Sequence, residues 1–434
     1  MSANVCGRHP RAIRTNIDSY RGMPRGWPYA LLHLVREKRR SELRLGRNAL
    51  MVDFQLTPRQ LELRDTALKF AVEVMAPAAE KADRVPEPDK SFNWDVIRKA
   101  SKLGLRTLTV PEKYGGEGAD VLTCAIVGET LAYGDLGMAV AFDQTWKIMT
   151  SISTLTTDEQ RERWIPRLME DDECLLATGW TEPSAGSDNI WPNPEPGAGM
   201  QLFAEKKNGR WVLNGTKRYI SNGGLAKIYQ IAARTDSKGP LMSSLTMFLV
   251  PGDAKGFSVP EVWDKLGQRC VQNGTLQFDD VEVPDEDRIG GTGNALPALA
   301  NLLIKHGSNI QAGATVLGVA QRAYDLSLQY AHSRVQGGGP LISHQLQQIR
   351  LARMAMKIEA ARSYLWRTAW STGLEEMDRK NAMLSKVFAA EASVEVCQQA
   401  MELWGAAAYM RKNPIEKLMR DALSFLHSDG TNDV

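Results

Sequence analysis

The fold of this chain is decided by the stretch Phe203-Ala204-Glu205-Lys206-Lys207-Asn208-Gly209-Arg210-Trp211-Val212-Leu213. Asn208-Gly209 separates two short segments, and both of its residues tolerate a positive φ. Two-residue β-hairpin turns need that backbone conformation. The sequence therefore predicts a β-hairpin at this point.

Further β-rich runs surround the hairpin and are separated by turn residues. They are Trp211–Lys217, Ile228–Ala233, Thr246–Val250 and Leu276–Val283. Short runs bounded by turn residues are typical of strands. A β-barrel-like middle domain is therefore predicted over residues 179–290.

Helical spacing occupies the chain on both sides of this region. Apolar residues recur at intervals of three to four after Thr57, which predicts an N-terminal helical domain over residues 51–178. Long amphipathic stretches after Gly293 predict a C-terminal four-helix bundle over residues 291–434. The predicted fold class is α+β and mainly α, in the order helical, β, helical.

The composition excludes several classes of function. A formal net charge of +2 gives no overall field for nucleic acid or a membrane surface. The sequence contains neither a long uninterrupted apolar run nor a Rossmann or P-loop fingerprint. The five cysteines lack the spacing of a disulfide framework or a zinc site, so no metal is expected and a reducing, cytoplasmic location is predicted.

Residues 1–50 differ from the rest because they are rich in arginine and poor in acids. Such a composition buries little apolar surface. We expect a disordered or mis-started extension, and an organellar transit peptide is the alternative.

Four segments resemble those of the acyl-CoA dehydrogenase family of flavoproteins. They are Thr181–Asp188, Lys265–Arg269, Phe278–Pro284 and Pro414–Ala422. Each is moderately specific alone, and their order and spacing strengthen the match. The resemblance implies the family's fold, FAD as cofactor and an acyl-CoA as substrate.

The resemblance also implies which residues contact the flavin. Thr181 corresponds to a hydrogen-bond partner of the pyrimidine side, and Ser187 to a contact of the acyl-CoA. Tyr219 stands where tryptophan is common, and Ser221 is the expected donor to flavin N5. The alternatives are a plain Ser/Gly connection at residues 181–188 and simple packing for the tyrosine ring.

Arg334 and Gln345 match a stretch that, in this family, binds the FAD of a neighbouring subunit. Arg334 would bind the pyrophosphate through its fork of donors, and Gln345 would reach the adenine part. A homotetramer or dimer is therefore expected. A surface salt bridge is the alternative for the arginine.

Asp429 stands where the resembled family usually has a catalytic glutamate. A carboxylate in a dry pocket can act as a base toward the α-proton of a thioester. The resemblance places Gly430 at the substrate, and Thr431 and Asp433 at FAD. The shorter side chain withdraws the carboxylate by about one bond length, and a misplacement near 1 Å can cost roughly 100-fold in rate.

Asp143 and Asn309 are two further candidates for the substrate side. Asp143 belongs to the N-terminal helices that line the acyl pocket in the resembled family, although an exposed or capping role on a helix is the alternative. Asn309 occupies a position where the family often has arginine.

The implied activity is FAD-dependent dehydrogenation of an acyl-CoA thioester, with electrons passing to an electron-transfer flavoprotein. The missing glutamate and Asn309 leave open a redox-neutral acyl-CoA lyase, such as a desulfinase, on the same fold. A degenerate flavoprotein without turnover is the third hypothesis.

Overall fold

The computed structural model describes residues 55–190, 195–295, 306–372 and 379–434. The predicted extension over residues 1–50 lies outside the described residues. From Val52 onward the chain forms one compact unit. The three domain boundaries stay a prediction.

The first part of the described chain is helical. Its helices are α1 (Pro58–Phe70), α2 (Ala76–Ala82), α3 (Trp94–Lys102), α4 (Val121–Gly134), α5 (Leu136–Leu155) and α6 (Asp158–Glu170). Two of them begin at capping boxes, in which Thr57 pairs with Gln60 and Thr157 with Gln160. Each box satisfies backbone N–H groups that the first turn of a helix leaves free. Local sequence therefore sets where α1 and α6 begin.

The middle part is a sheet. Its strands are β1 (Leu176–Gly179), β2 (Phe203–Lys207), β3 (Arg210–Ser221), β4 (Ile228–Arg234), β5 (Leu245–Pro251), β6 (Phe257–Val262), β7 (Asn273–Pro284) and β8 (Arg288–Ile289). A short helix, α7 (Leu241–Ser244), precedes β5. The strand order is β6-β7-β3-β2-β4-β5-β8, and β1 pairs with β4.

The predicted hairpin is present between β2 and β3. Lys207 pairs with Arg210, and the turn residues Asn208 and Gly209 have φ values of 49° and 78°. Two successive positive φ angles are those of a type I′ turn.

The described strands form an open path and not a closed barrel, because β6 and β8 lie at its two ends. The strands nevertheless share an apolar core, and residues of β4 and β5 also belong to a second one. Trp211 of β3 packs on Phe248 of β5, and Tyr229 of β4 packs on Phe257 of β6.

The last part returns to helices, namely α8 (Ser308–Ser333), α9 (Gln345–Ser371), α10 (Arg379–Trp404) and α11 (Pro414–Leu423). A two-stranded ribbon, β9 (Val335–Gln336) with β10 (Gly339–Pro340), connects α8 to α9. Helix α8 packs against α9, α10 and α11, and also against α4 of the first part. The predicted class, mainly helical with a middle sheet, is confirmed.

Candidate active site

A cavity of about 780 Å³ opens where α5, the sheet and the C-terminal helices meet. This volume lies within the range of roughly 300–1,000 Å³ that is usual for small-molecule sites. Eight of the predicted site residues line it, namely Asp143, Thr181, Ser187, Tyr219, Ser221, Asp429, Gly430 and Thr431. Residues that are distant in sequence therefore meet at one cavity.

The Asp429 side chain reaches the cavity from a turn after α11. Asp429 and Gly430 have φ values of 52° and 88°. Aspartate is tolerated in this left-handed region better than most side chains, because its short polar group can hydrogen-bond locally. The turn holds the side chain 26% exposed.

Lys147 of α5 joins the two predicted acids. Its Nζ atom lies 2.5 Å from Oδ2 of Asp429 and 2.5 Å from Oδ2 of Asp143. Asp143 lies one helical turn before Lys147, so both side chains leave the same face of α5. We refer to Asp143, Lys147 and Asp429 as the acid–lysine triad.

Burial and charge oppose each other at the two triad residues on α5, Asp143 and Lys147. It raises the pKa of Asp143 to about 6, against the opposing charge of Lys147. Burial alone would lower the pKa of Lys147, but the charges of Asp143 and Asp429 outweigh it and raise that pKa above its ordinary value. Asp143 is 1% exposed, so the alternative of a solvent-exposed helix acid is wrong.

The raised pKa of Asp143 predicts a pH dependence of stability. A carboxyl that binds its proton more tightly when folded contributes stability at low pH, and this is lost as the pH rises through about 6. We expect Asp143→Asn to remove this contribution. Between pH 4 and pH 7, the Tm of the wild type should therefore fall relative to the Tm of the variant. A constant difference in Tm across that range would contradict the prediction.

The turn that carries Asp429 is fixed from two other sides. Lys386 of α10 donates to the Gly430 carbonyl at 2.8 Å and to Asn432 Oδ1 at 2.9 Å. The backbone N–H of Thr431 donates to Ser187 Oγ at 3.1 Å. Burial lowers the pKa of Lys386 to about 8, although the charge of Asp429 opposes this. Contacts from Lys147, Lys386 and Ser187 together therefore determine where the Asp429 carboxylate lies.

We expect Lys386→Met to lower kcat by up to about 100-fold, because a shift of the carboxylate near 1 Å can cost that much. FAD content should be unchanged. The measurement is steady-state turnover at saturating acyl-CoA. Lys357→Met is the matched control, since Lys357 pairs with Glu395 on the surface at 2.7 Å. Equal kcat for both variants would contradict a positioning role for Lys386.

Another part of the cavity wall carries the residues that were predicted at the flavin. A register shift in β3 between Lys217 and Ile220 interrupts its pairing with β7. Tyr219 lies in this bulge with a φ of 60° and is 51% exposed. A bulge re-aims a side chain. The ring lines the cavity and also packs edge-on against Trp263, so the packing alternative is met, and its contact with the cofactor stays a prediction.

This wall fits a flavin. Trp180 and Tyr219 supply aromatic rings, and Thr181 and Ser221 supply hydroxyls. At Gly186, also on the wall, nothing lies within 4 Å of where a Cβ atom would stand, so a ligand can approach the main chain closely. Aromatic surface with a few placed polar groups is the usual lining of a cofactor site.

Four predicted residues lie off this cavity. Asn309 is buried at the start of α8, and its neighbours Ser308 and Gln311 line the cavity in its place. A second, smaller cavity lies beside β9. Arg334, Gln345 and Asp433 are exposed, and they line neither of the two cavities.

Sequence reasoning missed Lys147, Lys386 and Gln311. The spacing of Asp143 and Lys147 by four residues on a helix was a usable signal for the first of them. Lys386 carried no local signal, because its partners Gly430 and Asn432 come from a distant part of the chain. Gln311 is identified only by its place in the cavity lining.

Within the described part of the chain, no helix combines the length and the apolar character that crossing a bilayer requires.

Comparison with known proteins gives consistent matches. The chain matches the models of the acyl-CoA dehydrogenase N-terminal domain over residues 57–172, middle domain over 177–281 and C-terminal domain over 306–434. It is 33% identical over 381 residues to an acyl-CoA dehydrogenase of Bacillus subtilis, covering 87% of this chain and 96% of that protein.

Two solved structures are similar to this chain along nearly their whole length. One is butyryl-CoA dehydrogenase from Megasphaera elsdenii, with a TM-score of 0.80 and 32% identity over 88% of this chain and 97% of the other. The second is described as an electron transferring flavoprotein of Acidaminococcus fermentans, with a TM-score of 0.80 and 30% identity over the same shares.

Proposed function

The chain belongs to the acyl-CoA dehydrogenase family, and on this premise we propose that Asp429 is the base of its reaction. Family membership confirms the predicted reaction class, FAD-dependent dehydrogenation of an acyl-CoA thioester, and the predicted cofactor. When bound, FAD supplies the acceptor for the hydride that leaves Cβ, while the proton leaves Cα to a base.

One observation supports the choice of Asp429 above all others. Its carboxylate lines the same cavity as Thr181, Tyr219 and Ser221, on the side formed by the C-terminal turn. A carboxylate accepts a proton only when ionised, and the ammonium of Lys147 at 2.5 Å stabilises an ionised partner. Asp429 therefore combines access to the cavity with the charge state that a base needs.

Other residues of the cavity have binding roles in this proposal. Thr181, Tyr219, Ser221 and Thr431 contact FAD through hydroxyl groups and one aromatic ring. Ser187 and Gly430 contact the acyl-CoA near the thioester, which an N–H of the turn can polarise. Asp143 contacts the acyl group, and Asn309 supports that wall from inside α8.

A second subunit completes the site in this proposal. Arg334 and Gln345 are exposed, as residues that bind a neighbouring subunit's cofactor must be before assembly, and Asp433, which is also exposed, is assigned to FAD. A smaller cavity of about 360 Å³ lies beside β9 and is lined by neighbours of two of these residues, among them Gln336 and His344. We assign the homotetramer or dimer on this basis.

We also propose an electron-transfer flavoprotein as the electron acceptor, supported by the similar structure described under that name. A cytoplasmic location stays a prediction. The four described cysteines are free and buried.

The test is an anaerobic titration of the purified yellow protein with acyl-CoAs, followed by the visible spectrum. We expect stoichiometric bleaching of the flavin by at least one saturated acyl-CoA. Product formation without any bleaching would favour the redox-neutral lyase. Binding with neither bleaching nor turnover would favour the degenerate flavoprotein, and either result would overturn the proposal.

A further inference from the structure

The wall of the cavity that is formed by α5 and α8 carries hydrogen-bond acceptors without partners. Asp143 and Gln311 both line the cavity and are 1% and 3% exposed. Oδ1 of Asp143 and Oε1 of Gln311 have no hydrogen-bond partner among the described residues. Buried polar atoms are almost always paired, so two such atoms at one cavity call for a ligand.

A hydrocarbon acyl chain would not satisfy these atoms. It would displace water from the wall and leave both oxygens unpaired, which is unfavourable for buried polar atoms. A site with unpaired hydrogen-bond acceptors also discriminates strongly against ligands that have no donor for them. The wall therefore favours an acyl group that carries a hydrogen-bond donor.

The ionic character of the wall indicates which donor. Lys147 already donates to both acids of the triad, and Lys386 beside the turn of Asp429 supplies a second positive charge, so these groups are close to neutral together when both carboxylates are ionised. The oxygen of Asp143 that lacks a partner belongs to a carboxylate, and a charged donor forms the strongest hydrogen bond with a carboxylate.

The geometry also limits where the donor stands. Oδ2 of Asp143 and Oδ2 of Asp429 lie at most 5.0 Å apart, which is twice their 2.5 Å distance from the same Nζ atom. If Asp429 takes the α-proton, the carboxylate of Asp143 therefore lies close to the acyl group.

We propose that the acyl group of the substrate carries a protonated amine that binds Asp143 and Gln311. This inference rests on the proposed function, since it specifies the acyl group of the same reaction. The amine takes no part in the bond changes: a proton leaves Cα, a hydride leaves Cβ, and a double bond forms between these carbons.

The test compares thioesters of equal shape. Cyclohexanecarbonyl-CoA, piperidine-4-carbonyl-CoA and tetrahydropyran-4-carbonyl-CoA place a methylene, a protonated amine and an ether oxygen at the same ring position. Trans-4-hydroxycyclohexanecarbonyl-CoA adds an uncharged donor, and hexanoyl-CoA with 6-aminohexanoyl-CoA repeats the comparison on a linear chain. The readouts are Kd, from the perturbation of the flavin spectrum, and kcat/KM.

We expect kcat/KM for the amine to exceed that for its hydrocarbon counterpart by about 10-fold to 100-fold in at least one pair, the usual range for a hydrogen bond to a charged group. The ether should be the poorest member of the ring series. Asp143→Asn should remove most of the preference for the amine. Asp264→Asn should retain it, since Asp264 also lines the cavity but has a side chain that is 70% exposed.

Failure of this inference differs from failure of the proposed function. Equal kcat/KM for the hydrocarbon thioesters and the amines, with bleaching of the flavin by both, would overturn the inference and leave the dehydrogenase intact. Equal preference for the hydroxyl and the amine would overturn the assigned charge. The comparison in wild type decides the matter even if Asp143→Asn does not fold.

Discussion

Replacement of Asp429 by asparagine is expected to lower kcat by between about 100-fold and 10,000-fold, the usual contribution of a general base. Asparagine keeps the size of the side chain and, like aspartate, tolerates the φ of 52° at this position. The turn should therefore keep its shape while losing the group that accepts the proton. Rapid-reaction spectroscopy of flavin bleaching measures this step directly.

The controls separate chemistry from binding. Asp429→Asn should retain FAD and bind acyl-CoA with a Kd close to that of wild type, since only the proton acceptor is removed. Asp264→Asn makes the same chemical change elsewhere on the cavity and should bleach at the wild-type rate. A rate for Asp429→Asn within a few-fold of wild type would remove Asp429 as the base.

Lys147→Met is expected to produce the largest loss of stability. The substitution leaves the carboxylate of Asp143 buried without its cation, and Lys147 itself is only 10% exposed. Removing one partner of a buried ion pair typically costs about 3–5 kcal/mol. The Tm at equal FAD saturation measures the effect.

The pH dependence of this loss follows from the carboxylate. Burial already raises the pKa of Asp143 to about 6, and removing the opposing charge of Lys147 should raise it further. Below that pKa the carboxyl is neutral and its burial costs less. The loss of Tm in Lys147→Met should therefore be smaller at pH 5 than at pH 8.

Two comparisons identify the buried pair as the cause. Lys227→Met removes a contact of the same 2.5 Å length to Asp171, but Lys227 is 46% exposed, and we expect a change within about 1 kcal/mol. The double variant Asp143→Asn with Lys147→Met should recover part of the lost stability, because contacting residues are not additive. Strictly additive losses would contradict this account.

Local sequence predicted the framework of the molecule. The hairpin at Asn208-Gly209 formed as expected, because a two-residue turn needs positive φ at both positions and these residues supply it. Strands β3, β4, β5 and β7 followed from short β-rich runs between turn residues, and the long helices from the spacing of apolar residues, which also depends only on near neighbours. Strands β1, β6 and β8 were not predicted. The resemblance of short segments correctly indicated the family and its cofactor.

The sequence by itself determined the elements of this protein, their order and the family's reaction, since all of these are encoded over a few residues at a time. Only the tertiary structure brought Lys147 to Asp429, across 282 positions of the chain, and buried Asp143 beside them. Charge and burial act through space, so neither the acid–lysine triad nor its unpaired oxygen could be predicted before α5 and the C-terminal turn had met.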